Sequence, residues 1–223
     1  MTVAIWLGSA VPVRTIRWLD GALAAAAKLG PTKPTAIVAG DLGWLELAAD
    51  RALRAKVACI GIATELSLDY LGWAQIVIAA AKTVEATTIL VDEASRPERF
   101  AEVAAIAELL DAAQLTNVVS IAREGEVVRA TRSAGGELQT FHVRGEAVIG
   151  LRIAGPKIEE YPTPMPSAAM KRLDLAALGL DANVLAHRAV APHAPREPQR
   201  TTDRVADLIS VHVSARAPRT GAA

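Results

Sequence analysis

Few residues in this chain have the type and spacing that chemistry requires. The four histidines, His142, His187, His193 and His212, are scattered without the short intervals of a metal site, and the single Cys59 adds no ligand set. Cys59 lies in an apolar run and reads as an inert core thiol rather than a nucleophile. Ser9, Ser95 and Ser120 sit on no nucleophile elbow, and no GxGxxG or GKS run offers a cradle for phosphate. The remaining charged candidate is the stretch SRPERF, residues 95–100. Arg96 and Arg99 have the planar fork that binds phosphate oxygens two at a time. Against this, Glu98 and Glu102 stand close enough in sequence to pair with the two arginines on a solvated helix start, and that reading is preferred.

The elements that must position these residues are legible from apolar patterning. Val3 to Leu7, Thr35 to Ala39, Val57 to Ile62 and Thr87 to Val91 are short apolar runs of the kind buried on both faces of a parallel sheet. Between them, Ile16 to Leu29, Leu42 to Ala55 and Leu66 to Lys82 read as helices, and a further helix runs from about Pro97 to Leu110. Such alternation predicts a doubly wound α/β domain with a mostly parallel sheet. From Val118 the texture changes to shorter, alternating runs, Glu126 to Arg132 and Leu138 to Val143. These predict an antiparallel edge hairpin turning at Gly135-Gly136.

A short helix is expected from Leu173 to Leu178, stopped by Gly179. Beyond Asp181 the prolines Pro192, Pro195, Pro198 and Pro218 and a shortage of large apolar residues make a poor core. The run Val205 to Val213 is nevertheless apolar enough to need a surface. The expected division is therefore a domain over residues 1–180 and an extended arm over 181–223 that docks on another chain; a tail with one local helix is the plainer alternative.

Composition narrows the function classes. Lys plus Arg equals Asp plus Glu, 24 against 24, so no net field draws the chain to nucleic acid or to an anionic membrane. No apolar run has the length of a membrane span, the amino-terminal segment reads as a strand rather than a signal peptide, and the lone cysteine suits a reducing cytoplasm. Aromatic residues are only 4 % of the chain, so its core must be built from Ala, Val, Leu and Ile.

The stretch VVRATRSAGGELQTFHVRGEAVIGLRIAGPKIEEYPTPMPSAAMK, Val127 to Lys171, resembles a signature of the small (beta) subunit of electron transfer flavoproteins. There a strand with V-x-R, here Val127 and Arg129, meets a Gly-Gly turn, here Gly135-Gly136. A buried strand follows, here Ala147-Val148-Ile149, and a proline loop, here Pro162 to Lys171, ends in Met-Lys. Upstream, Ala22-Leu23 with Lys28-Leu29, Ala52 to Ala55, Ile89-Leu90 and Leu109 to Asp111 with Gln114 resemble family motifs in the same order. The resemblance implies an adenine-nucleotide-hydrolase-like (HUP-like) fold. It also implies an electron carrier without catalytic residues, paired with a larger alpha subunit that carries most of the FAD site. Its partners would be a flavoprotein dehydrogenase and an acceptor such as a quinone reductase.

The same resemblance marks site positions. Trp18, Ala39, Arg96 and Arg99 fall on the family's AMP site, Trp18 where an aromatic residue lies beside the nucleotide. Met165-Pro166 and Met170-Lys171 correspond to the loop that anchors the dehydrogenase. The AMP loop itself departs from the pattern: Phe100 to Ala104 replace an Asn-Gln-Thr-Gly-Gln run, so Glu102 brings negative charge and Val103 replaces glycine. AMP is therefore expected to be absent. Two other readings compete with a shuttle: a stress-protein-like nucleotide-binding domain, and a structural subunit of a larger oxidoreductase.

Overall fold

The computed structural model describes residues 1–8, 18, 21–26, 28–30, 34–54, 57–66, 68–93, 100–153, 170–190 and 209–214, with backbone alone at 53–54, 100, 187–190 and 209–214. Strand β1 (Val3–Trp6) is buried at every position, as a continuous apolar run covered on both faces must be. It pairs in parallel with β2 (Thr35–Gly40) on one side and β4 (Thr88–Asp92) on the other. Strand β3 (Ala58–Ala63) continues the parallel sheet beyond β2. The remaining strands are β5 (Ala113–Glu124), β6 (Val127–Ala134), β7 (Glu137–Val143), β8 (Ala147–Leu151), β9 (Lys171–Leu173) and β10 (Ile209–Ser214). All ten form one sheet in the order β10-β7-β6-β5-β8-β4-β1-β2-β3-β9.

Two apolar layers cover the parallel part. On one face, helix α1 (residues 21–26, with Trp18 also helical) and α2 (Leu42–Arg54) pack on Val3, Ile5 and Val38. On the other, α3 (Tyr70–Lys82) and α4 (Phe100–Leu110) pack on Ala4, Trp6, Ile37 and Val91, joined by Leu185 of α5 (Ala182–Val190). The chain moves outward through β1, β2 and β3 and then returns to β4 on the other side of β1. This reversal puts the topological switch point between β1 and β4, where open α/β sheets bind ligands outside the carboxyl ends of their strands. The doubly wound fold predicted from the sequence is the fold observed.

The edge ribbon is also as expected, and its construction is specific. Strand β5 pairs in parallel with β8 through its first half and antiparallel with β6 through its second, across register shifts near Asn117. Asn117 adopts φ 55° there, a left-handed value that Asn tolerates better than most residues. The β6–β7 turn has φ 59° at Gly135 and φ 84° at Gly136, the two positive values a tight hairpin needs.

One expectation changes. Leu173 to Leu178 is not a helix: Lys171–Leu173 forms β9, parallel to β3, and a turn follows in which Asp174 Oδ1 accepts the Ala177 N–H at 2.6 Å. The helix-forming Ala and Leu of this segment lose to a local carboxylate turn and to Gly179 at φ 71°. Within the carboxyl-terminal arm, Ile209–Ser214 is an extended strand that pairs with β7 of its own chain, Ile209 opposite Val143 and Ser214 opposite Leu138.

Candidate functional site

The cleft at the carboxyl edge of the sheet is built by the segments leaving β2 and β3. Gly40, Asp41, Thr64, Glu65, Leu66, Leu68 and Trp73 line a volume of about 510 Å³. Its walls are fixed by capping bonds. Asp41 Oδ1 accepts the Trp44 N–H at 2.9 Å, closing the first turn of α2, and Asp69 Oδ1 accepts the Gly72 N–H at 2.8 Å, closing that of α3. The Thr64 N–H donates to the Gly40 carbonyl at 3.1 Å, tying the two strand exits together. Trp44 Nε1 donates to the Gly8 carbonyl at 2.9 Å, anchoring the exit of β1 as well.

The switch point lies beside this cleft, connected through tryptophans. Trp73 lines the cleft and its ring centre is 6.2 Å from that of Trp6. Trp6, fully buried at the end of β1, donates its indole N–H to Glu102 Oε2 at 2.9 Å. Glu102 stands in the first turn of α4, where the helix dipole favours an anion. The chain thus supplies its own carboxylate at a place that would otherwise suit a phosphate.

Across the switch point, Asp92 is fully buried and Glu93 is 8 % exposed. Glu93 Oε2 accepts the Asn117 backbone N–H at 2.6 Å, and the carboxyl lies over Gly150, where any Cβ would collide with it. Burial pushes the Glu93 carboxyl up from its ordinary value; the Asn117 hydrogen bond and the Arg152 charge pull it down, and Asp92 pushes it up. The Leu151 carbonyl accepts both the Glu93 N–H at 3.1 Å and the Trp18 indole N–H at 3.0 Å.

Of the residues singled out from the sequence, Trp18 is 1 % exposed in the core and Ala39, fully buried in β2, adjoins the cleft residue Gly40. Met170 is 7 % exposed, with its sulfur against Gly61 of β3, so its side chain serves this chain's own core. Lys171 is exposed and opens β9. Arg96, Arg99, Met165 and Pro166 lie outside the described residues. The structure brings Trp18 within one shared carbonyl of Glu93, but it does not gather the other described positions into one cluster.

Sequence reasoning missed Asp41, Thr64 and Glu65 as cleft residues and did not single out Asp92 or Glu93. An Asp placed after a strand and before a helix was the available signal for Asp41. No local signal marks Glu93, because the space it fills is made by Gly150 of a distant strand.

Cys59 is 2 % exposed and desolvation pushes its thiol up to about 12, which keeps it neutral. Among the described residues no group of three or more His, Cys, Asp or Glu is placed to hold a metal ion, and no helix is long and apolar enough to cross a membrane.

Comparison with known proteins is consistent with this geometry. No curated protein matches the chain. The family profile described as Electron transfer flavoprotein domain matches residues 18–152, from the helical Trp18 to the residue after β8. A match over more than half of the chain settles the family: this protein belongs to the electron transfer flavoprotein domain family.

Proposed function

We propose that the chain is the beta subunit of an electron transfer flavoprotein. In this reading it pairs in the cytoplasm with an alpha subunit that holds most of the FAD, accepts electrons from a flavoprotein dehydrogenase and passes them to an acceptor such as a quinone reductase. The observation that carries the reading is the unit from β6 to β8. The V-x-R strand, the Gly135-Gly136 turn and the buried strand Ala147–Leu151 follow one another in the order of the beta-subunit signature, inside the segment matched by the family. The family match over residues 18–152, rather than the fold, argues against the stress-protein-like alternative.

The chain's own part is to position rather than to react. Bound FAD supplies the redox chemistry; this chain's sheet and loops would set how closely a docked dehydrogenase approaches it. AMP has no place in this reading. The described polar residues at the cleft are Asp41, Thr64 and Glu65, and the start of α4 already holds Glu102, so a phosphate dianion would meet carboxylates. The division proposed is a domain over 1–180 and a partner-binding arm over 181–223, of which the six residues of β10 close the β7 edge of the chain's own sheet.

Co-expression with an alpha-type subunit is expected to give a yellow heterodimer with FAD and no stoichiometric AMP, measured by absorbance and by chromatography of the extracted nucleotide. A colourless chain that binds no alpha-type subunit would end the reading. Met165→Ala is expected to weaken docking of the dehydrogenase without lowering FAD content.

A further inference from the structure

The joint between the parallel core and the antiparallel ribbon is held by one side chain. Strand β5 shifts register near Asn117 as it passes from β8 to β6, and Asn117 takes a left-handed φ of 55° there. The Asn117 N–H finds its acceptor in Glu93 Oε2 at 2.6 Å, just past the end of β4. Glu93 is fixed in turn: its own N–H donates to the Leu151 carbonyl at 3.1 Å, and its carboxyl lies against Gly150, where a Cβ would strike it. It is 8 % exposed, and its Oε1 is buried without a hydrogen-bond partner. The described charges acting on it are Asp92, fully buried on β4, and Arg152, exposed just past β8. Arg152 Nη1 also donates to Asn117 Oδ1 at 3.5 Å. From β5, Asn117 brings no charge, and from the α1 side Trp18 reaches the Leu151 carbonyl with a neutral indole.

A carboxylate in this place would be poorly compensated. Its Oε1 would be an unpaired buried anion, and Arg152, the described cation that acts on it, faces solvent, where its field is screened. A neutral carboxyl avoids the larger cost, because Oε2 still accepts the Asn117 N–H while the proton sits on Oε1. We propose that Glu93 is a proton-operated catch between the two halves of the sheet, closed on Asn117 while its carboxyl is neutral and released when the carboxyl ionises. On release the Oε1 proton passes to water, and the anion gives up the Asn117 hydrogen bond as it turns towards solvent. Burial favours the neutral form in the closed state. Opening therefore becomes easier as pH rises from the ordinary 4.5 towards the raised folded-state value, and levels off above it. The catch belongs to this chain alone and does not depend on which partner it has.

The test is hydrogen exchange at the Asn117 amide of the full chain, followed by NMR through a pH series from acid to neutral. After correction for the base-catalysed chemistry of exchange, protection at Asn117 is expected to fall by up to about tenfold per pH unit within that window. At neutral pH Asn117 should exchange faster than Val91, fully buried in β4, because opening the joint leaves the core folded. In Glu93→Gln, whose amide oxygen can still accept the Asn117 N–H but cannot ionise, the corrected profile should be flat. A second measurement needs no variant: the carboxyl carbon shift of Glu93 in the wild-type chain should titrate above 4.5. A flat wild-type profile, the same slope in Glu93→Gln, protection at Asn117 equal to that at Val91 throughout, or a Glu93 midpoint at or below 4.5 would each overturn the proposal and leave Glu93 a fixed structural tether.

Discussion

The parallel and antiparallel halves of the sheet use the same backbone pairing but differ in where they leave surface for function. Strands β1, β2, β4 and β8 are buried at every residue, between α1 and α2 on one face and α3 and α4 on the other. Only their ends are open, and the buried polar groups Trp6 Nε1, Asp92 and Glu93 lie at the carboxyl edge. Strands β6 and β7 bury one set of residues, including Val128, Ala130, Phe141 and Val143, and expose the alternate set. There a whole face is available, and it carries weak, screened pairs such as Arg129 Nε with Glu124 Oε1 at 2.9 Å. A two-sided core concentrates function at strand exits; a one-sided core spreads it over a face.

The contrast predicts a graded response to mutation. The largest effect is expected in the parallel half: Trp6→Ala should cost about 3–5 kcal/mol in chemical denaturation, since it empties a fully buried site and orphans Glu102. Gly150→Ala comes next, at about 1–3 kcal/mol from overpacking against Glu93. Combining it with Glu93→Ala should recover part of that loss, a coupling that two independent sites would not show.

Glu93 also gives the parallel half a pH signature. Burial raises its folded-state value above the ordinary 4.5, so its ionised form is disfavoured by folding. Its contribution is therefore most favourable below that value and is lost as pH rises through the folded-state value. The stability gap between Glu93→Gln and wild type should widen in favour of Gln from acid towards neutral pH, measured by melting temperature across a pH series. A flat gap would remove the signature.

In the ribbon, Gly136→Ala should cost about 1 kcal/mol, the strain of a left-handed turn position with open space around it. The smallest effect is expected at the exposed pair: Glu124→Gln should change stability by no more than about 0.5 kcal/mol, and less at high salt. A larger loss there would mean that the ribbon face is more tightly organised than its exposure implies.

The sequence revealed features in both halves where the information is local. Runs such as Val3 to Leu7 and Thr35 to Ala39 showed buried strands because their apolar content is local information, and Gly135-Gly136 showed its turn because positive φ demands a residue type. The start of α3 was less visible. Leu66 looked helical, but the helix begins at Tyr70 because Asp69 caps it, which leaves Leu66 and Leu68 to line the cleft. The insertion of β8 between β4 and β5, the conversion of Leu173 to Leu178 into strand and turn, and the role of Glu93 depend on residues distant in sequence. Composition and periodicity hold no record of such encounters.

The position of β8 also constrains how the chain acquires its structure during synthesis. Strand β4 and strand β5 are adjacent in sequence order but never touch as a pair; each waits for Ala147–Leu151 to fill the gap between them. Until those residues leave the ribosome, the nascent chain carries two incomplete sheets with open inner edges, and its contacts of long sequence separation form late. The centre of the sheet therefore closes only after β1 to β7 have all been made, and a chain ending before Leu151 would expose the strand edges on which aggregation begins.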